Sequence, residues 1–267
     1  MLFGDAGDDS LVARSGNGHL LSGGDGNDSL QVESGQSDLL DGGLGDDQLV
    51  SLAQRSALWG GGGNDRLEAA NEVNFLYGGL GNDTVIAGGR EDMVAYNAGD
   101  GYDVVQSRGS GKTLSLGNGV AFDAVTLTRT GDDLLLGIGA GSVTLEDWYL
   151  VAAGPKQFTQ LQWILDGSAE FNPGAPETMR QHKIATFDFA ALVADFDQAL
   201  AANPVTTAWH ISSALAKRFT DGSDTSALGG DLALMAGRQA GAGVLDPLLA
   251  SAALDSANFG KQRQLFT

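Results

Sequence analysis

The chain has 267 residues, a formal charge of −19 and no cysteine. The missing thiols exclude a disulfide scaffold, thiolate zinc centres and cysteine nucleophiles. The charge argues against phosphate backbones and anionic membranes as partners and in favour of cations. Glycine reaches 40 residues, about twice the usual ~7% share.

The charge is concentrated at one end. Residues 1–105 hold 18 acidic and 4 basic side chains, a net of −14, and the remainder nets −5. No apolar run of about 18 residues exists, so no transmembrane helix is expected. Met1-Leu2-Phe3 runs straight into Gly4-Asp5 without a basic or apolar leader, so no N-terminal signal peptide is expected either.

An internal repeat organises this first part. GGDGNDSLQ (23–31) recurs as GGLGDDQLV (42–50), GGGGNDRLE (60–68) and GGLGNDTVI (78–86), with looser copies GDAGDDSLV (4–12) and AGDGYDVVQ (98–106). The aspartate after the glycines falls at Asp9, Asp28, Asp47, Asp65, Asp83 and Asp103, at spacings of 19, 19, 18, 18 and 20. Two residues beyond each stands Leu11, Leu30, Leu49, Leu67, Val85 or Val105. A degenerate half-repeat between them keeps the aliphatic (Leu21, Leu40, Leu58, Leu76, Val94), preceded two residues earlier by His19, Asp38, Ser56, Asn74 and Asp92.

Glycine pairs permit tight turns with φ > 0 and leave backbone carbonyls accessible. A single inward aliphatic in a short strand can stack on its copy one coil away. An aspartate closing each glycine turn then sets a carboxylate beside those carbonyls, and stacked coils present all-oxygen cages suited to a hard cation such as Ca²⁺. Six aspartates in register would repel one another without one.

GGxGxDxUx, with U a large aliphatic, resembles the nonapeptide of RTX (repeats-in-toxin, haemolysin-type) calcium-binding proteins. The resemblance implies a mainly β fold, a parallel β-roll over residues 1–108. It also implies calcium held by Asp9, Asp28, Asp47, Asp65, Asp83 and Asp103. The carbonyls at Gly4, Gly7, Gly23, Gly24, Gly26, Gly42, Gly43, Gly45, Gly60, Gly61, Gly63, Gly78, Gly79, Gly81, Gly99 and Gly101 would complete the shells. Strong and weak turns stack along opposite edges, so about five ions are expected in single file between the six strong turns. At most one or two are expected opposite. Cages flanked by His19 or Ser56 should stay empty, and the exception is the gap between Asn74 and Asp92, the weaker candidate ligands, where Glu72 and Glu91 add charge.

Residues 109–167 read as short strands: Thr113–Leu116, Ala124–Thr128 and Leu134–Leu136 around the turn Thr130-Gly-Asp-Asp133, Val143–Tyr149, and Phe158–Leu165. NAGDGYDVV, TGDDLLLGI, VTLEDWY and QWILDG resemble the segment that follows the last repeats in adenylate cyclase toxins and haemolysin-type proteins. That resemblance implies a cap on the open end of the roll that promotes its calcium-driven folding. Residues 168–185 look like a linker, with Pro173, Gly174 and Pro176. Over 186–267 the patterning predicts an α-helical region, a small bundle with helices at Phe187–Ala202, Thr206–Phe219, Ser226–Gln239 and Val244–Leu254. By resemblance, the last ~60 residues contain an uncleaved type I secretion signal.

Catalytic motifs are weak. QSRGSGKT (106–113) approximates a phosphate loop but enters a strand-like run, where such a loop needs a following helix. His19, His182 and His210 are scattered, and there is no HExxH or GxSxG. The expectation is therefore no enzyme in these residues. The chain reads as the calcium-binding C-terminal module of a secreted bacterial RTX protein that folds outside the cell and supports type I secretion. Its partners would be calcium, the export machinery and a larger parent polypeptide. The alternatives are the assembly end of a surface-layer or biofilm adhesin and the tail of a secreted hydrolase.

Overall fold

The computed structural model describes residues 1–150, 156–225, 227–228 and 230–238. The chain is mainly β, with 48% of it in strands, and winds as a β-solenoid of about 6 turns. Glycine turns reverse it roughly every nine residues, so strands stay short. They are β1 (Leu2–Ala6), β2 (Ser10–Ala13), β3 (Leu20–Asp25), β4 (Ser29–Val32), β5 (Gln36–Leu44), β6 (Gln48–Ser51), β7 (Gln54–Gly62), β8 (Arg66–Ala69), β9 (Phe75–Leu80), β10 (Thr84–Ala87), β11 (Met93–Asn97) and β12 (Tyr102–Ser107). Odd strands form one parallel sheet and even strands the other.

Each inward aliphatic lies directly on its copy in the next coil. Leu30, Leu49, Leu67, Val85 and Val105 are register partners in the even sheet. Leu21, Leu40, Leu58, Leu76, Val94 and Leu114 are partners in the odd one. All are buried between the sheets. Leu11, in the first coil, is partly buried.

The expected capping strands are present, and they continue both sheets. β13 (Lys112–Gly117) extends the odd sheet in parallel. β14 (Val125–Thr130) and β15 (Asp133–Ile138) form the expected antiparallel hairpin. β16 (Gly141–Leu145) joins β15 antiparallel and β12 parallel. Val143–Leu145 is thus strand, while Glu146–Tyr149 turns away from it. β17 (Phe158–Ile164) runs parallel to β13.

The C-terminal region carries helices as expected, and strands tie it to the two sheets. Residues 168–183 fold back on the cap: Met179 and Ala175 are buried, and Asn172 N–H donates to the Arg180 carbonyl at 2.7 Å. Ile184–Asp188 is β18, antiparallel to β17, with Ala185 and Phe187 buried in the core between the sheets and Ile184 in a second core. Asp188 then caps α1 (Phe189–Ala202), accepting from Ala191 N–H at 2.9 Å. In place of one helix over Thr206–Phe219 come β19 (Trp209–His210), α2 (Ser212–Arg218) and β20 (Phe219–Ser223). β19 pairs with β14 and β20 with β18, so antiparallel strands close the sheets that parallel strands began. α3 (Gly230–Arg238) falls within the third expected helix. The Val244–Leu254 helix lies outside the described residues, as does much of the region expected to hold the secretion signal.

A second core covers the outer face of the odd sheet. Leu20, Leu39, Trp59, Phe75, Tyr77 and Met93 are buried there with Leu228, Leu232, Ala233 and Ala236. Trp59 meets Tyr77 edge-on at 4.6 Å between centroids. Two amides fix the chain over this face. Gln162 Oε1 accepts from Leu228 N–H at 2.6 Å, and Asn97 Nδ2 donates to the Ala236 carbonyl at 2.8 Å. No helix among the described residues is long and apolar enough to cross a membrane.

Candidate metal centre

The glycines of each strong turn do two different jobs. Gly24, Gly43, Gly61 and Gly79 have φ of +103° to +116° in the left-handed region, which other L-residues enter at a cost. Gly23, Gly42 and Gly60 do not; they are needed for space. A Cβ on Gly42 would run into Asp47 Oδ2 and the carbonyl oxygen of Gly60 in the next coil. Gly23 stands in the same relation to Asp28 and Gly42, Gly60 to Asp65 and Gly78, and Gly4 to Asp9 and Gly23. Four gaps between coils therefore repeat one arrangement, a carboxylate oxygen converging on a carbonyl oxygen. At Gly78 the nearest atoms all belong to Asp83, so the fifth gap is built differently.

The two oxygens of each aspartate are used differently. Oδ1 accepts the backbone N–H of its counterpart one coil earlier. Asp9 donates to Asp28 and Asp28 to Asp47 at 2.7 Å, Asp47 to Asp65 and Asp65 to Asp83 at 2.8 Å, and Asp83 to Asp103 at 3.0 Å. Oδ2 of Asp28, Asp47, Asp65 and Asp83 is buried and accepts no hydrogen bond. A buried acceptor without a donor is costly. Four in register, with those of Asp28, Asp47 and Asp65 each facing a carbonyl, form an oxygen-only set that a hard cation satisfies and a hydrogen-bond donor does not. The residues present fit calcium.

Electrostatics agree. Burial pushes Asp47 up to about 7, Asp65 and Asp103 up to about 8 and Asp83 up to about 6. Neighbouring carboxylates add to this, and the N–H bonds to Oδ1 oppose it. Asp100, at the variable third position of the last copy, is also buried and reaches about 7. Its carboxylate turns outward, accepting from Asn97 N–H at 2.6 Å and from the Tyr77 hydroxyl at 3.3 Å. Among the described residues no three His, Asp or Glu side chains cluster as a metal group. Backbone carbonyls must therefore supply much of any shell.

The strong-edge aspartates and glycines thus come together as expected. Two features escape the sequence reading. The residue before each aspartate forms a second ladder of opposite sense: Asp8, Asn27, Asp46, Asn64 and Asn82 each accept, through Oδ1, the N–H one coil later, at 2.6–3.0 Å. The signal was the run of Asp and Asn at that position. The other is Asp38 on the opposite edge, fully buried, with Oδ1 held by His19 at 2.7 Å and Oδ2 unpartnered. The Asn74–Asp92 gap departs from expectation. Glu72 contributes its carbonyl there, and both Asp92 oxygens are taken by hydrogen bonds from Asn74 and Gly89.

The set-aside motifs stay apart. Lys112 of QSRGSGKT is fully buried at the start of β13, donating to the Arg108 carbonyl, and no helix follows it. His210 donates to the Asp123 carbonyl at 3.1 Å, and His182 stands 3.4 Å from Asp224, both far along the chain from His19.

Comparison with known proteins bears on the same residues. The family of RTX calcium-binding nonapeptide repeats matches in four copies, over residues 1–20, 20–49 and 58–94. No curated protein matches the chain. Among solved structures, the extracellular lipase LipA from Serratia marcescens is similar at 17% identity and a TM-score of 0.33. That match covers 55% of this chain, which spans 38% of the lipase's length. RTX nonapeptide repeats bind calcium. The repeat in the sequence, its register in the solenoid and the family match all fall on one stretch, and residues 1–94 carry RTX calcium-binding nonapeptide repeats.

Proposed function

We propose that the chain is the calcium-binding module of a secreted bacterial RTX protein, with the activity of the parent polypeptide residing in other residues. It would bind a single file of about five ions, one in each gap between the six strong turns, fold on reaching extracellular calcium and so support type I export. The observation that carries this is the row of buried, donor-less Oδ2 atoms at Asp28, Asp47, Asp65 and Asp83. Calcium supplies the divalent charge. Asp28, Asp47 and Asp65 would each serve two adjacent gaps, because they accept from the earlier coil through Oδ1 and set Oδ2 toward a carbonyl of the later one. In a calcium-poor compartment those charges would hold the roll open and the chain exportable.

The test is a count of bound ions on the full chain by equilibrium dialysis. About five per chain are expected, with Asp47→Ala and Asp65→Ala each lowering the count and Asp38→Ala changing it less. No bound calcium, or a count that ignores Asp47→Ala and Asp65→Ala, contradicts the reading.

A further inference from the structure

On the second edge a carboxylate oxygen and a carbonyl oxygen also converge, here Asp92 Oδ1 and a carbonyl of the earlier coil. A Cβ on Gly89 would run into Asp92 Oδ1 and the carbonyl oxygen of Glu72. These are the same two kinds of oxygen that crowd Gly23, Gly42 and Gly60. The cradle at Gly89 also holds a nitrogen, Asn74 Nδ2, 2.9 Å from where that Cβ would be. This amide donates to Asp92 Oδ1 at 2.9 Å and to the Asn71 carbonyl at 2.7 Å. Asp92 Oδ1 also accepts Asn74 N–H at 2.9 Å, and Oδ2 accepts Gly89 N–H at 2.7 Å. Asp92 is fully buried, yet unlike its strong-edge counterparts it has no orphaned oxygen. Burial pushes Asp92 up to about 6, opposed by its hydrogen bonds and by the Lys112 ammonium.

We propose that the side-chain amide of Asn74 stands where a cation stands on the first edge, so that this gap is a closed, latent metal site. The inference rests on the calcium reading of the first edge. An amide nitrogen has two donors, and here they go to the Asp92 carboxylate and the Asn71 carbonyl. It carries no charge, so it neutralises nothing. Asn74 is then the specificity-determining residue of this edge. A carboxylate there would withdraw both donors and put an oxygen in place of the nitrogen, leaving an oxygen-only set for a hard divalent cation.

Calcium counting by equilibrium dialysis on the full chain, with Asn74→Asp and Asn74→Ala beside the unsubstituted protein, tests this. Asn74→Asp is expected to bind one ion more than the unsubstituted chain. Asn74→Ala, which removes the donor without adding a ligand, is expected to bind the same number. An unchanged count in folded Asn74→Asp would overturn the inference. So would the loss of an ion in Asn74→Ala, which would show that the gap already holds metal; this arm stands even if Asn74→Asp does not fold. An unsubstituted chain that binds no calcium would instead refute the first-edge reading on which the inference rests.

Discussion

At the scale of single residues, the aspartate carboxylate decides whether the roll is neutral, metal-bound or self-repelling. Burial raises Asp47, Asp65, Asp83 and Asp103 to between about 6 and 8. A cation-free folded roll therefore holds protons that the unfolded chain has already lost, and its stability falls as pH rises from about 4 through about 8. In chelator, the β signal should be stronger at pH 5 than at pH 8, and calcium affinity should weaken on acidification as protons compete. A chelated β signal that grows with pH would reverse the sign. Asp47→Asn keeps an acceptor for Asp28 N–H and adds an amide donor beside the Gly60 carbonyl. It should lower the ion count yet stabilise the cation-free roll relative to Asp47→Ala, by about 1–3 kcal/mol, the cost of unsatisfied polar groups. Chelated melts of the two variants check this. The strong-edge ligands were legible because a glycine turn, a carboxylate and an inward aliphatic recur at fixed spacing. Asp38 was not, since its turn lacks paired glycines, and nothing in the spacing shows that its Oδ2 lacks a donor.

At the scale of elements, what the sequence concealed is the outer face of the odd sheet. Leu20, Leu39, Phe75 and Met93 immediately precede the inward aliphatics, and Trp59 and Tyr77 immediately follow them. Read against a repeat, they look like variable positions. Strand alternation sends them to the opposite face, where Leu232, Ala233 and Ala236 cover part of them. β18 was hidden for a similar reason: Ile184 and Ala185 read as the end of a linker, and Phe187 and Asp188, the cap itself, as the start of a helix. The hairpin β14–β15 was plain because a Gly-Asp-Asp turn separates two apolar runs. Ala233→Glu would force a charge into this buried face, which cores tolerate poorly. It should lower the melting temperature in saturating calcium and speed amide exchange in β7 and β9. Exchange confined to α3, with both strands as protected as before, would show that the helix is a passenger.

At the scale of the whole molecule, a run of parallel coils ends in strands that reverse direction, β18 and β20 on one sheet and β14 and β15 on the other. A roll without them would present open strand edges to solvent. Removing everything beyond residue 111 should raise the calcium concentration needed for folding or abolish folding, and an unchanged calcium midpoint would make the cap irrelevant to it. The central claim is that the charge of −14 over residues 1–105 is folded by metal. Far-UV circular dichroism of the chelated full chain during a calcium titration tests it most directly. The account predicts a cooperative rise in β signal with calcium and little response to magnesium, whose smaller shell demands tighter octahedral geometry. A spectrum already fully β in chelator and unmoved by calcium would contradict it.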